Sequence, residues 1–157
     1  MTPRRGPPDP GPVVAVNVGR DDARRVVREG LAARGFDAAE PEDILTGQAA
    51  AIEASHCGQV DAPQARRMAL AQVARDQQMA RAVAAHADRG IVLLAGNGHV
   101  RNDLGVPRWL QPALRGRAQS VGVLEAAEAA SAFDLHTVVP AQPRPDPCGA
   151  LRTPTGK

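Results

Sequence analysis

The chain has 157 residues, a length that predicts one domain, and a formal net charge of +2. This charge is too small, and the aromatic content of 2% too low, to indicate a nucleic-acid-binding protein. No apolar run is long enough to span a membrane, so we expect no membrane insertion by this chain. The N-terminus lacks the apolar stretch of a signal peptide, so we expect none.

The two ends of the chain differ in composition from its middle. Residues 1–12 are rich in Pro, Gly and Arg and predict a disordered lead-in. Residues 141–157 are a Pro-rich tail. The folded domain is therefore expected over residues 13–140.

The first predicted elements are a strand and two helices. Residues 13–18, VVAVNV, are rich in β-branched side chains and predict a short buried strand. A helix follows, with Asp21 or Asp22 as its N-terminal cap and Gly35 as its end. A shorter helix is expected around residues 46–55.

Residues 61–90 form the longest segment with helical periodicity. Asp61 can cap this helix, Pro63 fits its first turn, and Gly90 can end it. Gln72 and Asp76, one turn apart, fall inside its apolar arc. Because a buried polar group is costly unless it is paired, both side chains require a partner elsewhere in the fold.

Three further strands are expected, over residues 91–95, 118–124 and 133–140. Strands that alternate with helices predict an α/β fold with a mostly parallel sheet and flanking helices. Ligand sites in such folds lie beyond the carboxyl ends of the strands. His99 follows one such end by only a few residues, so the sequence predicts a site there.

The loop Gly96-Asn97-Gly98-His99 ends the apolar run of residues 91–95. Its glycines would permit positive φ angles and a close approach of the backbone. His99 is then a metal ligand or a general base. Alternatively, it only stiffens the turn by hydrogen bonding to loop backbone.

Gln72 and Asp76 are expected near His99 under either of two interpretations. They could fix the tautomer of His99 or ligate a metal. They could also form a buried polar link between the long helix and the glycine loop.

His56 and Cys57 lie just before the long helix. His56 is a candidate second metal ligand. Cys57 could be a reactive thiol or a ligand, because a helix N-terminus lowers the pKa of a thiol. Alternatively, Cys57 forms a disulfide with Cys148, which we favour if the protein is exported.

Several segments occur in an order and at a spacing that resemble a known family. They are VVAVNVGRDDARRVVREG, HCG, AQVARDQQMA, GIVLLAGNGHVRNDLGVPRWL and RPDPC. Together, over about residues 12–152, they resemble the ChaN-like haem-binding family of bacterial, often lipid-anchored proteins. Members usually carry an additional upstream half, so the resemblance implies the C-terminal portion of an α/β family fold.

The resemblance implies haem as cofactor and partner, a role in iron or haem uptake or handling, and a homodimer that brings two haems together. A tyrosine is implicated as iron ligand in the family, whereas this sequence contains no Tyr. Ligation would then pass to His99, with His56 or His136 as further candidates. The remaining expected cofactor-binding residues are Gly96, Asn97, Gly98, Arg101, Gln72 and Asp76, with Arg101 placed to pair with a haem propionate.

Two other functions stay open. The Gly-x-x-His pattern also resembles erythromycin esterases and metal-dependent peptidases, which implies a hydrolase in which His99 activates water and Asp76 supports it. The third possibility is a truncated domain with no remaining activity.

Overall fold

The structure, a computed structural model, describes residues 12–39 and 41–149. The predicted lead-in lies almost wholly outside the described residues, as does the end of the tail. The described elements are α1 (Arg20–Glu29), α2 (Glu42–Ser55), α3 (Ala62–His86), α4 (Asn97–Val100), α5 (Pro112–Arg115), β1 (Val121–Leu124) and β2 (Leu135–Val138), with 3₁₀ turns at Ala32–Arg34, Ala87–Arg89, Val106–Trp109 and Ala127–Ala132.

Helix α3 confirms the prediction for the longest segment. The Asp61 side chain accepts a hydrogen bond of 2.8 Å from the backbone N–H of Gln64, which satisfies one of the free donors at the helix start. Pro63 lies in the first turn, where its missing N–H costs nothing. Gly90, with φ of 75°, ends the 3₁₀ turn that extends the helix.

Helices α1 and α2 differ from their predictions at the ends. Gly19, not Asp21 or Asp22, is the N-terminal cap of α1, and no side chain caps it. Gly30, with φ of 84°, ends α1, and Gly35 ends only the 3₁₀ turn that follows. Gly30 therefore divides the predicted helix into α1 and a separate 3₁₀ turn. Helix α2 begins at Glu42, earlier than predicted.

The α/β fold class is confirmed, because β1 and β2 pair in parallel. Val121 pairs with Leu135, and Leu124 pairs with Val138. Within the described part of the chain, this sheet has two strands. A parallel connection between them requires a crossover, which the 3₁₀ turn Ala127–Ala132 provides in part.

The predictions of strands over residues 13–18 and 91–95 are wrong. Both segments are described without strand structure. Leu93 and Ala95 pack against the buried cluster that includes Met79 of α3, whereas Val92 and Leu94 are 91% and 95% exposed. The segment thus keeps the alternation of a strand but lacks the ladder of backbone hydrogen bonds that defines one.

The described buried apolar residues form three clusters. The largest joins α1, α2 and α3, the second packs residues 106–110 on α3, and the third underlies the sheet. Trp109 contacts the first two clusters. Gly122 allows the third to form, because a Cβ there would lie 2.8 Å from the Phe133 ring.

A disulfide joins Cys57, between α2 and α3, to Cys148, beyond β2. The Cα atoms lie 5.6 Å apart. The disulfide alternative is therefore confirmed, and the interpretation of Cys57 as a free thiol or ligand is wrong. Among the described helices, none combines the length and apolar character that a membrane crossing requires.

Candidate functional site

His99 and Asp76 are in direct contact. Helix α4 carries His99, and its Nδ1 lies 2.6 Å from Oδ1 of Asp76 on α3. The Asp76 side chain is fully buried, and 23% of the His99 side chain is exposed. Asp76 lies inside the apolar arc of α3 and is expected from the sequence to need a polar partner. The structure shows that this partner is His99.

Burial raises the pKa of Asp76 to about 6, because the carboxylate is removed from water. The hydrogen bond and the charge of His99, and the charge of Arg75, oppose this rise. The second carboxyl oxygen also has a partner, since Nε2 of Gln48 on α2 donates to Oδ2 over 3.3 Å. Both oxygens of the buried carboxyl group are therefore hydrogen bonded.

The contact with Asp76 determines what His99 can do. A carboxylate accepts hydrogen bonds, so Nδ1 carries the proton when Asp76 is ionised. Nε2 is then the unprotonated nitrogen, which can ligate a metal or accept a proton. A carboxylate behind a ligating histidine is the common outer-shell arrangement, and it raises the basicity of the ring.

The glycine loop differs from its predicted geometry. Gly96 is the N-terminal cap of α4, with φ of −62°, and its carbonyl accepts a 2.9 Å hydrogen bond from His99 N–H. Positive φ occurs at neither Gly96 nor Gly98, and a Cβ at either position would meet nothing within 4 Å. The loop therefore does not use the positive φ angles that its glycines permit. The missing side chains instead leave open space beside α4.

Gly105 is the glycine that the loop requires. A Cβ there would lie 2.2 Å from the His99 carbonyl oxygen. Only glycine allows the backbone to pass this close to His99. The sequence pattern gave no signal for this contact, because it joins two loop positions whose distance depends on the tertiary fold.

Asn97 and Arg101 flank His99 and are held by other parts of the chain. Asn97 Nδ2 donates to the Val123 carbonyl over 2.7 Å, which ties α4 to β1. Arg101 donates from Nε and Nη2 to the two carboxylate oxygens of Asp103 over 2.8 and 2.6 Å. These hydrogen bonds lower the pKa of Asp103. Arg101 thus already has one carboxylate partner within its own loop.

The structure places Gln72 and His56 against other partners. Gln72 is half-buried, and its Oε1 accepts from Arg75 over 3.1 Å. Nδ1 of His56 lies 2.7 Å from the Ile52 carbonyl, in the last turn of α2. In the part of the chain that the structure describes, no three His, Cys, Asp or Glu side chains are grouped to hold a metal ion.

Gln48 is the site residue that the sequence reasoning missed. It is 7% exposed and lies on the same face of α2 as Ile44 and Ile52, each four positions away. A polar residue inside an apolar arc was the signal that identified Asp76. Applied to α2, the same signal would have found Gln48.

Half-exposed apolar side chains of β1 and β2 form a surface close to α4. Val121 and Val123 of β1 are 51% and 53% exposed, and Leu135 of β2 is 53% exposed. Val121 and Leu135 are paired in register, so their side chains share one face of the sheet. Because Asn97 bonds to the Val123 backbone, this surface lies close to the segment that carries His99.

These features define an α/β protein with a histidine supported by a buried carboxylate. A family model described as haem-binding uptake, Tiki superfamily, ChaN matches residues 9–110, more than half of the chain. The chain therefore belongs to this family. The matched range contains Gln48, Asp76, His99 and Gly105, and it ends before β1 and the RPDPC segment. Searches of curated proteins and of solved structures found no match.

Proposed function

We propose that this chain binds haem with His99 Nε2 as the iron ligand and takes part in haem or iron uptake or handling. Membership of a haem-binding uptake family supports the general role. The observation that carries the assignment to His99 is the 2.6 Å contact between its Nδ1 and Asp76. This contact leaves Nε2 as the nitrogen available to a ligand.

The residues of this chain would hold haem through one histidine, His99. Haem iron takes a single proximal imidazole in several protein classes, so one histidine is sufficient. Asp76 would hold the His99 ring in the tautomer with the proton on Nδ1 and increase its donor strength. The proposal therefore does not depend on a tyrosine or on a second ligand such as His56.

The surroundings of His99 also suit a flat, mostly apolar ligand. Gly96 and Gly98 leave space beside α4 that side chains would otherwise occupy. The exposed Val121 and Val123 offer apolar surface near Asn97. Arg101 uses Nε and Nη2 to bind Asp103, so its Nη1 is the group that would meet a ligand carboxylate.

The proposal assigns no direct role to Gln72 or His56. Gln72 accepts from Arg75, and His56 lies against the Ile52 carbonyl. The proposed site consists of His99 with Asp76 behind it, and of Gly96, Asn97, Gly98 and Arg101 around it.

A hemin titration followed by absorbance tests the function. We expect a saturable Soret change in the wild type that is lost in His99→Ala and restored there by added imidazole. His136→Ala is the matched control, since His136 is an exposed histidine on β2, and it should bind as the wild type does. Unchanged binding by His99→Ala would move the ligand elsewhere and contradict the proposal.

A homodimer is the second part of the proposal, because the family resemblance implies one. The exposed side chains of Val121, Val123 and Leu135 give an apolar sheet face of the kind that a second copy would cover. Sedimentation equilibrium of the wild type beside Val123→Glu tests this. A dimer that the substitution dissociates supports the proposal, and a wild-type monomer at all concentrations contradicts it.

A hydrolase is the competing candidate, and the same contact favours it. An imidazole oriented by a carboxylate can accept a proton from water at Nε2. A panel of ester and peptide substrates, with and without added divalent metal, tests this activity. Turnover that His99→Ala abolishes, without hemin binding, would favour the hydrolase. If neither binding nor turnover is found, the domain has no activity left at this site.

A further inference from the structure

We propose that Gln48 is a positioning residue that fixes the tautomer of His99 by holding the Asp76 carboxylate and the adjoining loop in one arrangement. The consequence for haem rests on the proposed function, whereas the effect on the tautomer does not.

Gln48 bridges the two parts of the site. Its Nε2 donates to Oδ2 of Asp76 over 3.3 Å and to the Leu104 carbonyl over 3.4 Å. Asp76 belongs to the helical core, and Leu104 belongs to the loop that follows α4. An amide NH₂ has two hydrogens to donate, so one side chain can serve both acceptors.

The backbone around Gln48 is fitted to the same loop. A Cβ on Gly47 would lie 2.6 Å from the Leu104 side chain, so α2 presents a gap where that side chain packs. Gly105, the residue after Leu104, passes the His99 carbonyl so closely that a Cβ there would force the backbone to shift. Helix α2, residues 104–105 and His99 therefore form a continuous series of contacts.

These contacts explain how Gln48 acts on the histidine without touching it. With Oδ2 engaged by Gln48, Oδ1 is directed at Nδ1 of His99. Without that donor, the carboxyl group can rotate, and the contact with Nδ1 is no longer enforced. Since the hydrogen bond of one ring nitrogen sets which nitrogen carries the proton, the ring would then exchange between its two tautomers.

Gln77 provides a matched control. It is 4% exposed and directly follows Asp76 on α3. It makes two hydrogen bonds to the Asp37 backbone, accepting over 2.8 Å and donating over 3.0 Å. Gln77→Leu therefore removes a buried amide of the same size from the same core, while the contacts of Asp76 with His99 and Gln48 remain.

The test is long-range ¹H–¹⁵N NMR of the histidine rings in haem-free protein at pH 8, with the His99 signals assigned from His99→Ala. We expect the wild type and Gln77→Leu to hold the proton on Nδ1 and Gln48→Leu to show a mixture of tautomers. Gln48→Met, which keeps the length of the side chain, should behave as Gln48→Leu does. A wild-type tautomer in both Gln48 variants would overturn the proposal, as would an equal change in Gln77→Leu.

A hemin titration of the same variants separates this inference from the proposed function. We expect the Kd of both Gln48 variants to rise about tenfold while Gln77→Leu stays at the wild-type value. If the wild type binds no hemin but the Gln48 variants alter the tautomer, the proposed function fails and the positioning role stands. If hemin binds through His99 and neither tautomer nor Kd responds to Gln48, the positioning role is overturned.

Discussion

The molecule has a helical side, formed by α1, α2 and α3, and a sheet side, formed by β1 and β2. Apolar side chains are buried more completely on the helical side than on the sheet side. On the helical side, Val26, Leu45 and Val73 from three helices are at most 1% exposed. On the sheet side, Val123 of β1 and Leu135 of β2 are each 53% exposed. Apolar residues are therefore enclosed throughout the helical side, whereas the sheet buries one face through Leu124 and Phe133 and leaves the face of Val121 and Val123 half exposed.

The difference follows from how each element satisfies its backbone. A helix pairs its own N–H and C=O groups and needs a neighbour only to bury its apolar face. A strand needs another strand for its hydrogen bonds and, in a parallel sheet, a cover on both faces. The candidate site lies where the two regions meet, because Asp76 comes from α3 and His99 from the segment that leads to β1.

The largest expected effect comes from a cavity on the helical side. Leu45→Ala should lower the free energy of unfolding by about 3 kcal/mol, because the side chain is 1% exposed and its neighbours cannot fill the space. Leu135→Ala, the same change on the exposed face of the sheet, should alter it by about 1 kcal/mol or less. Urea denaturation measures both. Similar losses for the two variants would contradict the difference between the regions.

The buried carboxyl group at the junction should make stability depend on pH. Its folded pKa of about 6 exceeds its usual value of 3.8, so between these values the folded state holds more protons than the unfolded state. Stability from Asp76 is therefore largest below pH 4, falls as the pH rises through 6, and is lower by about 3 kcal/mol above that. The measured quantity is the unfolding free energy of the wild type minus that of Asp76→Asn at each pH. A difference that rises between pH 4 and pH 7 would show a carboxylate stabilised by its partners and contradict this account.

Gly105→Ala tests the contact that holds the loop to the site. The added methyl group would overlap the His99 carbonyl, so the backbone must shift at a cost of about 2 kcal/mol. Gly98→Ala is the control, because a Cβ there meets nothing within 4 Å. Thermal unfolding of the two variants, together with the NMR signals of the His99 ring, measures the effect. If Gly98→Ala proves the more damaging, the assigned roles of the two glycines are wrong.

The smallest effect is expected on the open sheet face. Val123→Ala should change the free energy of unfolding by about 0.5 kcal/mol or less when measured at a concentration at which the protein is monomeric, since the side chain is half exposed. A loss of more than about 1.5 kcal/mol would mean that this face is covered within the monomer. The comparison between the two regions would then fail.

The helical side could be predicted from the sequence more fully than the sheet side. Asp61, Pro63 and Gly90 act within a few residues of α3, so local pattern was sufficient to place that helix. The polar Asp76 within an apolar arc required a partner, and the structure supplies His99.

The rest depends on contacts between residues that are distant in sequence. Residues 91–95 have the composition of a strand, but strand formation requires a neighbour that a local pattern cannot reveal. Gly105 approaches His99 only in the folded loop, and Gln48 reaches Asp76 only after α2 packs on α3. Gly96 and Gly98 show the opposite case, because these glycines permit positive φ angles that the backbone does not adopt.

The central claim is that Asp76 supports His99 as an iron ligand, and resonance Raman spectroscopy of the reduced hemin complex tests it most directly. We expect an iron–imidazole stretching band in the wild type that moves to lower frequency in Asp76→Asn, because the ring loses its carboxylate partner. The band should be absent in His99→Ala. A band that persists in His99→Ala, or that does not respond to Asp76→Asn, would contradict the account.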